Sequence, residues 1–301
     1  MNKKHQDFQV NNESTSGSTF QRIKAKGITV RRPKINTKQI PRYFIGKSPM
    51  ISYFFTALSL TFPEGEQFFV HSVRNVRDRI QDNEQLQARI SAFIGQEAMH
   101  AQLHDTFNQD WRRDDYHLDA YTRFISKGIH HMKSQPKIAQ LALTCAFEHF
   151  TAIFATFMLK NHKMIEQSDP EAIKFWLWHA IEEIEHKSVA FETYKAVYDN
   201  ETVRLRTMRY AMASFVMASL YGGFHLYLKD FKNNWKYPIQ NAKGLFFITE
   251  LLAQSIPELK DYFRADFHPD DHNQDELVQY WKHKLATEYG MTEFAQVTQA
   301  A

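Results

Sequence analysis

Apolar side chains recur every three to four positions along most of this chain, which is the period of an α-helix. Capping residues and prolines mark where the four longest of these segments begin. The predicted starts are Ser48-Pro49, Asp82-Asn83, Ser134-Gln-Pro136 and Ser168-Asp169-Pro170. We expect the first helix to be broken or kinked at Pro63 and to continue to about Ile80. The second is expected to run to about Asn108, and the fourth to about Asn200.

Weaker patterns predict further helices outside these four. A short helix is expected around His117 to His131, within a more polar stretch. Later in the chain, we predict a fifth long helix from Met208 to Leu228 and two amphipathic helices at Phe246 to Leu252 and Glu276 to Leu285. Glycine and proline are scarce, with 10 and 9 residues, so long stretches contain no helix breaker. The fold class is therefore expected to be all-α.

The predicted fifth helix is unusually apolar. From Tyr210 to Leu228 it contains no charged residue over 19 positions, which is about the length that spans a bilayer. Two glycines, one histidine and three tyrosines reduce its hydrophobicity, and arginines precede it. We therefore expect a helix packed on the rest of the protein, with peripheral contact to a membrane surface as the alternative.

The overall composition narrows the function classes. A chain of 301 residues with 43% hydrophobic residues can bury a substantial core. The net charge is only +3 and the 37 basic residues are spread along the chain, so no nucleic-acid partner is expected. The single cysteine, Cys145, excludes a disulfide framework and fits the cytoplasm, with membrane association as a second reading.

The ends of the chain differ from its middle. Residues 1–28 are rich in polar residues and are expected to form a disordered tail, with no apolar segment typical of a secretory signal. Residues 29–290 are expected to form a single metal-binding domain, followed by a flexible C-terminus at 291–301. A homodimer is compatible with the sequence.

Acidic residues occur on the apolar faces of the four long helices. Burial of an unpaired carboxylate or imidazole is unfavourable, and a bound divalent metal ion is the simplest compensation. The residues concerned, in chain order, are Glu66, then Glu97 with His100, then Glu148, then Glu183 with His186. Glu182 and Glu185 lie off the inner stripe of the fourth helix and are expected to be solvated or to support the ligands.

The order of these residues carries more information than any one of them. It gives Glu, Glu-x-x-His, Glu, Glu-x-x-His, the pattern of dinuclear metal sites in ferritin-like bundles. The longest gap, from Glu97 to Glu148, leaves room for the long crossover of that topology. We therefore predict a ferritin-like four-helix bundle with one long crossover, additional C-terminal helices and two bound metal ions. Carboxylates and imidazoles without a thiolate favour iron, with manganese or zinc as alternatives.

Three further residues are weaker candidates. His179 lies one turn before Glu183 on the same stripe and is predicted to be an added ligand, whereas a hydrogen-bonded core histidine is the alternative. His104 lies one turn after His100 and is either a ligand or a residue that supports one. Glu64 lies on a different face from Glu66 and is the weakest candidate.

Several longer motifs resemble a known family. They are Arg31-Arg-Pro, Ile40-Pro-Arg-Tyr-Phe-Ile-Gly-Lys-Ser-Pro49, Thr61-Phe-Pro-Glu-Gly-Glu66, Phe93-Ile-Gly-Gln-Glu-Ala-Met-His100, Tyr262-Phe-Arg and Phe267-His-Pro269. Together they look like the bacterial "predicted metal-dependent hydrolase" family, over about residues 30–286. The resemblance implies a ferritin-like metal protein. Separately, His179-x-x-x-Glu183-x-x-His186 is similar to a local motif of di-iron arylamine N-oxygenases, which suggests a reaction type.

The predicted site is compatible with three functions. The first is an O₂-activating oxidoreductase that acts on a small or apolar organic substrate, with an electron donor as a further partner. The second is a metal-dependent hydrolase that uses a metal-bound hydroxide. The third is a non-enzymatic iron-binding protein. In the enzyme readings the metal centre itself carries the chemistry.

Overall fold

The computed structural model of the protein describes residues 28–111 and 118–299, with side chains as far as residue 295. No strand occurs among these residues, and the predicted all-α class is confirmed. The helices are α1 (Pro49–Arg74), α2 (Glu84–Trp111), α3 (Asp119–Lys133), α4 (Lys137–Lys160), α5 (His162–Glu166), α6 (Pro170–His186), α7 (Val189–Val197), α8 (Glu201–Lys229), α9 (Phe231–Asn234), α10 (Pro238–Asp261) and α11 (Asp275–Thr287).

Helix α1 begins where the capping signal predicted. The Ser48 hydroxyl accepts a hydrogen bond from the N–H of Ile51, and Pro49 occupies the first helical position. The helix runs through Pro63 without a break, in contrast to the predicted interruption. Proline has no N–H to donate to the carbonyl four residues earlier, which is that of Ser59. That carbonyl instead accepts a hydrogen bond from Nδ2 of Asn108 on α2, at 2.8 Å, so the helix tolerates the proline.

The next two long helices also begin at their predicted caps. Asn83 accepts a hydrogen bond from the N–H of Leu86 at the start of α2, and α4 begins directly after Pro136. Between them, α3 lies close to the short helix predicted from the sequence, although residues 112–117 lie outside the described residues. The segment from α2 to α4 is therefore the longest connection among the four predicted long helices.

The predicted fourth helix is in fact two. Asp169 caps α6 by accepting a hydrogen bond from the N–H of Ala172, as expected, but the helix ends at His186 and α7 starts at Val189. In the intervening turn, the Lys187 ammonium donates to the carbonyl of His272 and to Gln274. These partners lie far along the chain, so local sequence does not predict the break.

The long helices from the four predicted positions pack on one another, and the later helices cover them from outside. Helix α1 packs against α2 and α4, and α4 packs against α6. The long α8 and α10 both cover α1 and α4, and α11 packs against α6. The predicted fifth helix is confirmed within α8, and the two predicted amphipathic helices lie within α10 and α11. The ferritin-like topology itself stays a prediction.

The two predicted terminal segments differ in what can be described. Residues 1–27 of the predicted polar tail lie outside the described residues. Residues 28–48, called here the N-terminal arm, lead into α1 with a single 3₁₀ turn at Thr37–Gln39. At the other end, Thr292–Gln299 is assigned as 3₁₀ helix, and its Phe294 is buried beneath the guanidinium of Arg31.

Candidate metal centre

Four buried carboxylates meet where α1, α2, α4 and α6 come together. They belong to Glu66, Glu97, Glu148 and Glu183, one from each helix, and none is more than 3% exposed. Each lies on the inward face that the helical period predicted. The ion-pair partners of Glu97, Glu148 and Glu183 among the described residues are histidines. The helices therefore bring several negative charges together without a lysine or arginine to balance them.

Two histidines lie among these carboxylates, as the two Glu-x-x-His motifs predicted. Nε2 of His186 is 3.0 Å from Oε1 of Glu97 and 3.2 Å from Oε2 of Glu148. Nδ1 of His100 is 3.3 Å from Oε1 of Glu183. The structure thus assembles all six residues of the ordered pattern in one buried cluster.

His179 joins the same cluster from α6. Its Nε2 lies 3.1 Å from Oε1 of Glu183. The ring stacks on His100, with centroids 4.3 Å apart, and on the other side contacts Phe62 at 4.9 Å. A third imidazole therefore faces the carboxylates, which makes one side of the cluster rich in nitrogen.

Most polar atoms that face the cluster form no hydrogen bond. Nine such buried atoms have no hydrogen-bond partner among the described residues, although the histidines and carboxylates lie within ion-pair distance of one another. They are both carboxylate oxygens of Glu66, Glu97 and Glu148, Oε2 of Glu183, Nδ1 of His100 and Nε2 of His186. Buried polar atoms in folded proteins are almost always hydrogen-bonded, and an unpaired buried charge is strongly unfavourable. Nine orphaned atoms in one place therefore indicate that a cation belongs among them.

The spacing of these atoms suits metal ligands. Four overlapping groups of three residues have potential ligand atoms within 4.8 Å of one another. They are Glu97-Glu148-His186, His100-His179-Glu183, Glu66-Glu97-His100 and Glu66-His104-His179. Metal–ligand bonds of about 2.1 Å place adjacent ligands about 3 Å apart, close to the distances between His186 and its carboxylate neighbours. Carboxylate and imidazole donors without thiolate suit iron, manganese or zinc.

Gln96 determines which nitrogen of His186 faces the cluster. The Gln96 amide nitrogen donates to the carbonyl of Thr29 and to Glu185, each at 3.0 Å, so its oxygen is the free acceptor. That oxygen lies 2.8 Å from Nδ1 of His186, which must therefore carry the proton. Burial would lower the pKa of His186, but Glu148 and Glu183 outweigh it and raise that pKa well above its usual range in the metal-free chain. Metal binding would displace the Nε2 proton and use the lone pair that then faces the carboxylates.

His100 is oriented by a carboxylate in the same way. Its Nε2 lies 3.1 Å from Oε2 of Glu182, which can only accept, so Nε2 carries a proton and Nδ1 is the nitrogen that faces the cluster. Burial would lower the pKa of His100, but Glu182 and Glu183 outweigh it and raise that pKa well above its usual range, so metal binding at Nδ1 would displace a proton. The other oxygen of Glu182 accepts hydrogen bonds from the backbone and guanidinium of Arg31, at 3.2 and 3.1 Å. Arg31 also binds both oxygens of Glu185. The N-terminal arm thus holds the group that orients His100.

A third chain of hydrogen bonds ends at His179. The Ser59 hydroxyl donates to Asn108 at 2.7 Å, and it therefore accepts from Nδ1 of His104 at 2.8 Å. Nε2 of His104 then accepts from Nδ1 of His179, also at 2.8 Å. Nε2 of His179 is left as the lone-pair nitrogen, facing Glu183. In this arrangement His104 supports His179 rather than binding a metal with the same nitrogen.

The pKa values of the clustered glutamates and of His179 are shifted by burial and by the neighbouring charges. Burial raises the pKa of Glu66 well above its usual range, and the neighbouring Glu97 adds to the shift. Burial also raises the pKa of Glu148 to about 8, although His186 opposes it. Burial alone would raise the pKa of Glu183, but His186 and His179 outweigh it and lower that pKa well below its usual range. Burial lowers the pKa of His179 to about 4, which keeps the imidazole neutral and able to bind metal.

Not every predicted residue lies in the cluster. The Glu64 carboxylate accepts a hydrogen bond from Ser126 and is absent from the four groups, so the structure gives no support to this weakest candidate. Glu182 and Glu185 are buried or nearly so, and of the two alternatives expected for them, solvated or supporting, the supporting one fits both. Glu182 contacts His100, and Glu185 accepts hydrogen bonds from Gln96 and Arg31. Sequence reasoning missed Gln96, because a single glutamine in an apolar stripe has no distinctive pattern.

In a further group of possible metal ligands, the negative charges of the carboxylates are neutralised by neighbouring arginine and lysine side chains. Glu192, His268 and Asp270 come close together near the start of α7. Arg89 forms an ion pair with Glu192, and Lys187 lies 3.9 Å from Asp270. Nδ1 of His268 accepts from the N–H of Asp270 and is therefore not free for a metal. This group is a structural polar network that joins the C-terminal segment to α2 and α7.

An apolar cavity reaches the carboxylate cluster. It has a volume of about 520 Å³, lies between α1, α3, α4 and α8, and includes Glu66 in its wall. The rest of the wall is mainly aromatic and aliphatic, with Lys127 and His131 as its basic residues. A smaller cavity of about 50 Å³ shares part of this wall and includes His179 and Glu183. A small apolar molecule could therefore approach the cluster from the side of Glu66.

The fold and the cluster define an all-α protein with a buried glutamate and histidine site suited to metal ions. The sequence profile described as "Predicted metal-dependent hydrolase" matches residues 29–273, and the chain belongs to this family. The resemblance seen in the sequence motifs is thereby confirmed. No curated protein and no solved structure gives a significant match. The family supports a metal-dependent enzyme, and its description does not specify a substrate.

Proposed function

We propose that this protein binds two iron ions in the carboxylate cluster and uses them to oxidise a small apolar molecule with O₂. The observation that carries this proposal is the junction between the 520 Å³ apolar cavity and the orphaned ligand atoms at Glu66. The site is buried, so water has little access to it, and the cavity wall offers few polar groups to a polar substrate. These features suit an apolar molecule and a dissolved gas.

The residues divide naturally between two ions. Glu97, Glu148 and His186 would hold one ion, and His100, His179 and Glu183 the other. Glu97 also belongs to a group with Glu66 and His100, so Glu97 would contribute to both ions and Glu66 would be a further ligand. A site with three imidazoles stabilises reduced iron better than an all-carboxylate site does, which supports the choice of iron.

The chain's own residues supply positioning and exclude water. Gln96 and Glu182 hold two imidazoles in the orientation that ligation requires, and His104 holds the third. Phe62 covers His179 and His104 on the cavity side. The bound iron would supply the electron transfer to O₂, which no side chain in the cluster can provide.

The proposed reaction balances with an external reductant. A substrate C–H or N–H bond, one O₂, two electrons and two protons give the hydroxylated product and one water. The electrons would come from a reduced flavin or iron–sulfur protein, and Glu66 is placed between cavity and cluster to pass a proton. Because both Glu66 oxygens lack a partner, the carboxylate can accept a proton without losing an existing hydrogen bond.

The family description favours a second candidate, a hydrolase. In that reading Glu66 would act as a general base towards a water molecule, which attacks an ester or amide. The water's oxygen forms the new bond to the carbonyl carbon, and the alcohol or amine leaves with a proton. The apolar cavity wall argues for an ester with an apolar acyl group in this case.

The decisive experiment compares metals on one protein. Protein purified without O₂ is analysed for metal, stripped with a chelator and reloaded with Fe²⁺, Mn²⁺ or Zn²⁺. We expect about two ions per chain, and O₂ consumption only with iron, measured with an oxygen electrode. Glu66→Gln should impair the reaction, whereas the matched Glu64→Gln should not. Hydrolysis of an apolar nitrophenyl ester by the zinc form, without O₂ consumption by the iron form, would establish the hydrolase instead.

A further inference from the structure

Large apolar side chains are exposed along one stretch of the chain, from α8 through α9 to α10. Nine of them are 53–70% exposed, and together they are called the apolar face. Its members are Met217, Leu220, Phe224, Leu228, Phe231, Trp235, Ile239, Leu245 and Phe246. Exposed apolar patches of this kind mark a site of interaction with a partner or a membrane.

The two long helices of the apolar face cover the same side of the protein. Helices α8 and α10 both pack against α1 and α4. Phe215 of α8 stacks on Phe150 of α4, and Phe247 of α10 contacts Phe55 of α1. Their opposite sides, which carry the apolar face, therefore point away from the same pair of helices.

The charges around the apolar face are positive. Lys229, Lys232, Lys236 and Lys243 are all exposed within or beside it. Asp230 is the only acidic residue between positions 210 and 249. Its side chain is turned inward, where it binds Arg42 and Tyr43. An apolar surface edged by lysines, with tryptophan and tyrosine at its rim, has the composition of a segment that lies on anionic lipid.

We propose that the apolar face docks on an anionic lipid bilayer. Helices α4 and α8 are long and apolar enough to cross a membrane, but 83% of the most apolar stretch of α4 is buried in the protein, against 17% of that of α8. Helix α8 is nevertheless held on the bundle. Gly222 lies so close to Tyr121 and Ala57 that a side chain there would clash with both. The protein therefore rests on the bilayer surface with one side of α8 in contact with lipid.

Docking would also place the cavity against the membrane. Met217 belongs both to the apolar face and to the cavity wall. Phe124 and Tyr210 line the same cavity and are 39% and 42% exposed. The cavity thus opens at the docked side, and a lipid-soluble substrate could enter it directly from the bilayer. This second step rests on the proposed function, whereas docking itself does not.

Vesicle flotation tests the docking. The full chain is mixed with phosphatidylcholine vesicles, or with vesicles containing about 30% phosphatidylglycerol, and centrifuged through a density gradient. We expect the protein to float with the anionic vesicles and to be released by high salt only in part, because apolar contacts are insensitive to screening. Equal failure to float with both vesicle types would overturn the proposal.

Charge and apolar contributions are separated with matched variants. Lys229→Glu with Lys236→Glu should weaken binding to anionic vesicles about tenfold or more, whereas Lys38→Glu with Lys163→Glu should not. The control lysines are also exposed but lie outside the apolar face. Equal losses in the two pairs would show a nonspecific charge effect and overturn the assignment of the face.

Tryptophan fluorescence reports the orientation on the bilayer. Trp235 is 60% exposed, whereas Trp111, Trp176, Trp178 and Trp281 are buried. Lipids brominated on their acyl chains should therefore quench Trp235 selectively, and Trp235→Phe should remove the quenching while the protein still floats.

A subunit interface is the alternative explanation of the apolar face. If light scattering shows that Phe224→Ser with Phe246→Ser turns a dimer into a monomer, and no vesicle binding occurs, the face is a subunit interface instead. Docking without iron-dependent O₂ consumption would contradict the proposed function but leave the docking proposal intact.

Discussion

Nδ1 of His186 lies 2.8 Å from Oε1 of Gln96, and this contact makes Nε2 the nitrogen that faces the carboxylate cluster. Gln96 has no choice of orientation, because its amide nitrogen is committed to Thr29 and Glu185. The ligand geometry of α6 is thus determined by a residue of α2 and by the N-terminal arm. Changes outside the set of ligands should therefore alter metal affinity.

Gln96→Met is expected to weaken metal binding by about 10–100-fold, because His186 loses the acceptor that fixes its tautomer. Methionine has about the same side-chain length as glutamine, and because it is apolar it suits the buried position. Competition with a chromophoric chelator measures the affinity. Gln102→Met, on the exposed side of the same helix, is the control. Unchanged affinity in Gln96→Met would show that the hydrogen bond has no influence on the site.

Glu97→Gln and Glu148→Gln should differ in how many ions they remove. Glu97 occurs in two of the ligand groups and Glu148 in one, so we expect loss of both ions in the first variant and of about one in the second. Elemental analysis of the reloaded proteins gives the number. Both metal-free variants should unfold at a higher temperature than the unsubstituted protein, since a buried repulsive carboxylate has been neutralised. Two ions retained by Glu148→Gln would place that residue outside the site.

The stabilisation given by metal should grow with pH. The pKa of Glu148 is raised from an ordinary 4.5 to about 8 in the folded, metal-free chain. A raised carboxyl pKa means that metal-free stability is greatest at low pH and falls as pH rises towards 8. Metal binds the deprotonated form and removes this loss. The difference in melting temperature between loaded and metal-free protein should therefore increase from about pH 5 to about pH 8, and be flatter in Glu148→Gln.

His179→Ala should affect both metal and stability. The substitution removes one imidazole from the group with His100 and Glu183, and it leaves Nε2 of His104 without its donor. We expect weaker binding of one ion and a loss of about 1–3 kcal/mol in the unfolding free energy of the metal-free protein. A combined thermal melt and metal analysis measures both. Full metal content with lowered stability would assign His179 to packing alone.

Filling the cavity should block small molecules without disturbing the ligands. Gly65 lines the cavity beside Glu66, and a Cβ atom added there would meet no atom within 4 Å. Gly65→Leu should therefore reduce the affinity for an apolar fluorescent dye such as aminoanthracene by about tenfold or more, at unchanged metal content. Helix stability should rise by about 0.5–1 kcal/mol because glycine is a poor helix former. Gly223→Leu, also in open space but outside the cavity wall, is the control.

Local signals predicted the helix starts and the inward-facing acidic residues well. Ser48-Pro49 and Asp169-Pro170 are capping signals that act within a few residues, and the inner stripe follows from the helical period alone. The same reasoning expected an interruption at Pro63. It could not foresee that Asn108, on another helix, satisfies the carbonyl that the proline leaves free.

The residues that support the candidate ligands could not be predicted from local sequence patterns. Glu182 lies off the ligand stripe, and its partner Arg31 is 151 residues away in sequence. The turn at Lys187 likewise depends on residues that follow α10. Such long-range hydrogen bonds leave no periodic signature in the chain. The motif Arg31-Arg-Pro contributed to the family resemblance, but the role of the arm became evident only from the contacts with Glu182 and Glu185.

The N-terminal arm sets an order of assembly during protein synthesis. Arg31 leaves the ribosome early, whereas Glu182 follows 151 residues later. At ordinary translation rates of about 5–20 residues per second, the arm waits roughly eight to thirty seconds for its partner. Until α6 has emerged, His100 has no carboxylate to orient it and His186 does not yet exist. The nascent chain therefore cannot assemble the complete set of candidate ligands step by step as each helix appears, and the carboxylate cluster forms only after α6 has been synthesised.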